Sequence, residues 1–232
     1  MLAVCLPLRT IMDSNLPVSQ ITDDPFAAIR IPEFRNLMLG RFTFITALRM
    51  MSTLVAWWVY ELTGDPLAIG IVGLSEVIPA LSMALYAGHI IDKTEKKKMV
   101  LTGVSCYFII AAILLLFSSS FISNNFNNHT ITIGIYVVIF FAGIIRAFTG
   151  PVFSSIVAYT VPRQYLQNAT TWTQGTWLSA SVNGHATGGL LIWLLGISGT
   201  LSIVCSLLIL AVILLPRIKR KYPDAATKET ET

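Results

Sequence analysis

Long apolar runs separated by short polar breaks dominate the pattern of this chain. Six runs stand out, from Arg41 to Glu61, Leu67 to Ile91, Met99 to Phe121, Ile131 to Ala158, Ala169 to Leu195 and Gly199 to Leu215. Each approaches the roughly 20 residues that a helix rising 1.5 Å per residue needs to cross a bilayer. The pattern predicts an all-α membrane protein with six transmembrane helices. Around them it sets a cytoplasmic N-terminal segment at 1–36, a bundle at 37–216 and a polar tail at 217–232. The connection "GDPLAIG" predicts a tight turn into the second run, because Asp65 can cap free N–H groups and Pro66 suits the first helical position.

Composition agrees: 54% of the 232 residues are hydrophobic, 12% are charged and the mean hydropathy is +0.71. The net charge of +4 is read by the location of the charges rather than by their sum, so no nucleic-acid partner is inferred from it. Arg9, Arg30, Arg35 and Arg41 precede or open the first run, and Lys93, Lys96, Lys97 and Lys98 lie between the second and third. Arg163 lies between the fourth and fifth, and Arg217, Lys219, Arg220, Lys221 and Lys228 follow the sixth. The alternate connections "ELTGDP", "SSSFISNNFNNHT" and "GISG" carry no Lys or Arg. This alternation places both termini in the cytoplasm. Trp58, Trp172 and Trp193 fall near run ends, where an interfacial belt and ordinary packing are equally good readings. Of the three cysteines, Cys106 and Cys205 fall inside apolar runs and Cys5 in the polar N-terminal segment, without paired or metal-like spacing. No cleavable leader is visible in "MLAVCLPLRT".

The stretch "GHIIDKTEKKKMV" stops the second run with an acid inside a basic cluster. A cytoplasmic anchor accounts for the lysines but not for Gly88 or Asp92. Gly88, Asp92, Lys93, Lys96 and Lys97 reproduce the loop pattern between the second and third helices of the major facilitator superfamily, with Glu95 where that family usually has glycine. "RAFTGPVF" resembles its fourth-helix pattern through Arg146 and Gly150. "NGHATGGLL" resembles the antiporter pattern of its fifth helix through Gly184, Gly188 and Gly189, with His185 in place of proline. "WWVYELTGDPLAIGIVGLSEVIP" is similar to the subgroup that includes the bacterial enterobactin exporter. The resemblance runs roughly from Phe34 to Pro216.

The resemblance implies one six-helix half of a two-half transporter in a bacterial inner (cell) membrane. It implies export of a small molecule by alternating access with proton coupling, Arg146 serving the coupling and the loop residues stabilising one access state. The expected partners are a small-molecule substrate, membrane lipid, and a separate C-terminal half or a second copy. Three accounts of the missing half stand side by side: a truncated or split gene product, a paired second chain, and self-association. The first is preferred because a homodimer would have to build both sides of the path from one sequence. A non-transporting six-helix binding or assembly protein is the alternative. No enzyme motif, cofactor site or metal-ligand cluster is evident.

Charges at membrane depth are functional candidates by default. Arg49 falls about eight residues into its run, Glu76 about nine, and Arg146 in the inner half of the fourth. Glu76 is expected to share a central cavity with Arg49 or Arg146 and to be able to accept a proton; simple pairing of Glu76 with Arg49 is the plainer reading. In the fifth run Ser179, Asn183 and Thr187 recur at four-residue spacing, and Gln174 and Asn183 are candidates for an inward-facing path. The glycines Gly150, Gly184, Gly188 and Gly189 are candidates for close helix packing.

Overall fold

The computed structural model describes residues 26, 28–119 and 125–215. The segments 1–25 and 216–232, and with them most of the N-terminal segment and the whole polar tail, lie outside the described residues. The fold is all-α: α1 (Pro32–Thr63), α2 (Pro66–Lys93), α3 (Lys96–Phe117), α4 (Asn128–Thr160), a 3-10 turn at Arg163–Tyr165 and α5 (Leu166–Leu214). These five helices are all long and apolar enough to cross a membrane.

Local chemistry sets the ends. α1 begins nine residues before its apolar run because Pro32 occupies the first turn, where its missing N–H costs nothing, with Glu33 beside it at the positive helix end. It stops at Gly64, whose left-handed backbone (φ 67°) closes the helix through its N–H to the Tyr60 carbonyl at 2.8 Å. Asp65 Oδ1 then accepts the Leu67 N–H at 2.9 Å, and α2 starts on Pro66. Between α2 and α3 only Thr94 and Glu95 are non-helical, and Glu95 pairs with Lys98 at 2.8 Å on the exposed first turn of α3.

Side-chain contacts give the direction of each helix. Tyr136 on α4 donates to the Ala68 carbonyl of α2, and Gly143 packs against Pro79, so α2 and α4 run parallel. Gly134 meets Phe117, Tyr107 donates to the Ala142 carbonyl at 3.1 Å, and Gly103 meets Thr149, so α3 and α4 are antiparallel. The first limb of α5 runs parallel to α1: Thr173 and Thr176 donate to Met38 Sδ, Gly184 abuts Thr46 and Arg49, and Gly188 abuts Met50. α1 is the central element, and Phe34, Leu37, Met50, Leu54, Val55 and Val59 on it are fully buried.

The last element departs from the expected pair of separate helices. α5 is assigned helical over 49 residues, with Gly196 as a break inside it (φ 67°, ψ −171°), a region open essentially only to glycine. A straight helix of that length would extend about 74 Å. Instead Leu215 packs on Gly40 while Thr173 contacts Met38, so both ends of α5 lie beside the same end of α1 and the chain reverses at Gly196. Thr200 Oγ1 donates to the Gly196 carbonyl at 2.8 Å, and Ser198 is tied to Ser118 beyond α3 by a 2.6 Å hydroxyl contact. The tryptophans divide between the two readings. Trp58 is 5% exposed and packs in the core instead of reaching an interface, whereas Trp193 is 80% exposed. Trp172 stacks at a tilt on Phe26 at 5.7 Å.

Replacing Gly196 by alanine forces a side chain into this backbone region and is expected to destabilise the protein by about 1–3 kcal/mol. Gly175→Ala, at a helical position where a Cβ meets nothing within 4 Å, is expected to be neutral or stabilising. Thermal unfolding of both variants in detergent checks the contrast.

Candidate functional site: a charged cavity between the helices

A cavity of about 230 Å³ opens within the bundle. Helix periodicity explains its walls: α1 presents Arg41, Ile45, Arg49, Ser52 and Val55 at spacings of three and four, which share one helix face. α4 presents Ile139, Ala142, Arg146, Thr149 and Phe153 in the same way. α2 adds Val72 and Glu76 one turn apart, α3 adds Tyr107 and α5 adds Trp177. The three charges singled out from sequence, Arg49, Glu76 and Arg146, therefore meet in one place.

Arg146, not Arg49, is the partner of Glu76: its Nη1 lies 2.5 Å from Glu76 Oε1, with the two side chains 49% and 26% exposed respectively. Local packing sets up this pair. Gly143, three residues before Arg146 and on the same side of α4, lies against the Glu76 carbonyl and the Pro79 ring, where a Cβ would be 2.7 Å from Pro79 Cγ. The missing side chain lets α2 come close enough for the carboxylate to reach the guanidinium. Pro79 lacks an N–H, which frees a carbonyl one turn earlier at this crossing.

Arg49 turns instead to Trp177, its guanidinium carbon 5.6 Å from the ring centroid. Its helix is held tight to α5 by Gly184, where a Cβ would fall 2.5 Å from Arg49 Cβ and 2.8 Å from the Thr46 carbonyl oxygen. Thr53 Oγ1 and His185 Nδ1 lie 2.8 Å apart across the same contact. Gly188 serves this packing too, but Gly150 and Gly189 do not: both are exposed and a Cβ on either meets nothing within 4 Å. Gly150 borders the cavity instead.

Gln174 and Asn183 are not among the lining residues. Both are exposed, and Asn183 Nδ2 donates to the Ser179 carbonyl of its own helix at 2.9 Å. Ser179 and Thr187 likewise donate to carbonyls four residues back. The polar stripe therefore exists, but on the outer side of α5. Gly88 is also exposed with open space around it, and the side chains of Asp92 and Lys93 lie outside the described residues.

Two site residues escaped sequence reasoning. Arg41, read as a charge at the mouth of the first run, lies nine residues inside α1, is 9% exposed and lines the cavity with its guanidinium over Phe153 at 5.7 Å. The start signal at Pro32 and Glu33 would have placed it there. Tyr107, buried with its hydroxyl on the Ala142 carbonyl, left no signal in an apolar run.

A double-mutant cycle of Glu76→Gln and Arg146→Gln is expected to show a favourable coupling of about 0.5–3 kcal/mol in thermal unfolding. The corresponding cycle of Glu76→Gln with Arg49→Gln is expected to show a smaller one, and equal couplings would contradict the pairing.

No curated protein and no solved structure matches the chain. Residues 37–231 match the sequence profile of the Major Facilitator Superfamily, a family of membrane transporters and not an enzyme class. That match covers most of the chain and joins the membrane-capable helices and the charged cavity: the protein is an integral, multi-pass membrane protein that belongs to the major facilitator superfamily.

Proposed function

We propose that this chain is the N-terminal half of a proton-coupled exporter that works by alternating access, with six membrane crossings and both termini cytoplasmic. The single observation that carries the reading is the cavity at membrane depth that gathers Arg49, Glu76 and Arg146. Ionisable groups inside a membrane bundle are tolerated where they face water or one another, and here Glu76 and Arg146 face one another at the cavity wall. Glu76 is the proton acceptor in this account: protonation removes its charge and releases Arg146, and the freed guanidinium biases the parallel helices α2 and α4 toward the other access state.

Counting the two limbs of α5 on either side of Gly196 separately supports six crossings. The helix directions bring Pro32, the α2–α3 turn, the 3-10 turn at Arg163 and Leu215 to one end of the bundle, and the Lys and Arg that the sequence concentrates around these points support a cytoplasmic assignment of that end. The exposed polar residues Gln174, Ser179, Asn183 and Thr187, costly against lipid, support a second half or a second copy beside α5. The similarity to the enterobactin-exporter subgroup supports outward transport. In the exported-substrate path Gln174 and Asn183 would contribute from the covered side of α5, and Gly88, Asp92, Lys93, Lys96 and Lys97 would form the cytoplasmic gate.

Arg146→Ala is expected to abolish gradient-driven transport in sealed vesicles while the protein keeps its helical circular dichroism and elution volume; full transport by that variant would remove Arg146 from the mechanism. Mass and uptake measured for the chain alone, and again with a candidate second half, test the assembly. Transport only after addition of the second half is the expected result, and transport by a dimer of this chain alone would replace the split-half account.

A further inference from the structure

The charge balance of the cavity is unequal. Arg41, Arg49 and Arg146 line it against the single carboxylate of Glu76, and that carboxylate is engaged by Arg146. Among the described residues, no carboxylate lies within ion-pair distance of Arg41 or Arg49. Arg41 is also 9% exposed, and its Nη1 has no hydrogen-bond partner. Each of the two guanidiniums has an aromatic face nearby, Phe153 for Arg41 and Trp177 for Arg49. A ring offers a guanidinium attraction but accepts few of its five N–H donors. The unpartnered Arg41 Nη1 and the half-buried Arg49 guanidinium, which faces no carboxylate, leave N–H donors free for an acceptor in the cavity.

We infer that the substrate class of this cavity is an organic anion: a carboxylate, sulfonate or phosphate group held by Arg41 and Arg49, on an aromatic or aliphatic body. The inference rests on the cavity being the substrate path. Guanidiniums suit such groups because their planar fork makes two parallel charge-assisted hydrogen bonds to one oxyanion. The rest of the wall suits the body, since Phe44, Ile45, Leu48 and Ile139 are apolar and Trp177 presents a ring beside Arg49. A cationic substrate would meet two guanidiniums without carboxylate partners and would have to compete with Arg146 for the only carboxylate of the wall.

The full chain in phosphatidylcholine nanodiscs, titrated calorimetrically with benzoate, benzamide and benzamidine, compares anion, neutral and cation on one ring. Benzoate is expected to bind at least about tenfold more tightly than either of the others. Arg41→Gln and Arg49→Gln are each expected to weaken benzoate about tenfold and benzamide by clearly less. Arg41→Lys, which keeps the charge but not the planar fork, is expected to bind benzoate more tightly than Arg41→Gln and more weakly than the unaltered chain, separating recognition from a loss of folding. Equal affinities, a preference for benzamidine, or no binding of any of the three would overturn the inference. Loss of benzoate binding in phosphatidylglycerol nanodiscs would assign the site to anionic lipid headgroups and overturn the solute class. Transport without charge preference would refute the anion class and leave the transporter; anion preference without transport in the two-half assembly would do the reverse.

Discussion

The constraint on which this bundle turns is the placement of one carboxylate and three guanidiniums at membrane depth. Hydrocarbon cannot solvate them, so each must find a partner or a water-filled space. Glu76 and Arg146 solve part of the problem by pairing, and the pair dictates how closely α2 and α4 cross. That closeness exists only because position 143 has no side chain. A single glycine thus links backbone packing to the electrostatics of the site: any side chain there would meet the α2 backbone at Glu76 and Pro79. Arg49 and Arg41 are housed differently, on the inner face of α1 against Trp177 and Phe153. The protein therefore holds one charge pair and two further guanidiniums that face aromatic rings.

Around this site the architecture is economical. α1 forms the centre because Gly184 and Gly188 of α5 let that helix lie directly on it at Thr46, Arg49 and Met50, while Gly40 of α1 admits Leu215 at the far end of α5. Both contacts are possible only if α5 folds back on itself. The reversal at Gly196 thus does more than end a helix: it returns Leu215 to the end of the bundle where α1 began. Ser118 and Ser198 add a hydrogen bond at the opposite end.

Much of this was legible in the sequence, because apolar length and the positions of Gly, Pro and Asp are local signals. The α1–α2 turn, with Asp65 and Pro66, was readable for that reason, and so was the expectation that Glu76 faces Arg49 or Arg146, since charges inside apolar runs need water or an opposite charge. What escaped depends on which way a helix faces. The stripe of Ser179, Asn183 and Thr187 has the period of a lining surface, but periodicity does not tell the inside of a bundle from its outside, and those side chains hydrogen-bond to their own helix. Gly150 and Gly189 matched a motif without meeting a neighbour. Arg41 was misplaced because hydropathy marks where an apolar run begins, whereas the helix begins at its cap; nine residues of α1 lie ahead of that arginine. The choice of Arg146 over Arg49 as the partner of Glu76 needed the register of α2 against α4, which no single helix contains.

The account stands on the cavity being open to water while the bundle sits in a membrane. The most direct measurement is reaction of Ser52→Cys, on the cavity wall, with a membrane-impermeant thiol reagent in sealed vesicles of a protein whose three native cysteines have been replaced. Ile109→Cys, on the exposed surface of α3, serves as the comparison. Labelling at 52 from one side of the membrane, with none at 109, is the predicted result. Position 52 remaining unlabelled from both sides would mean a sealed, dry core, and would contradict the account.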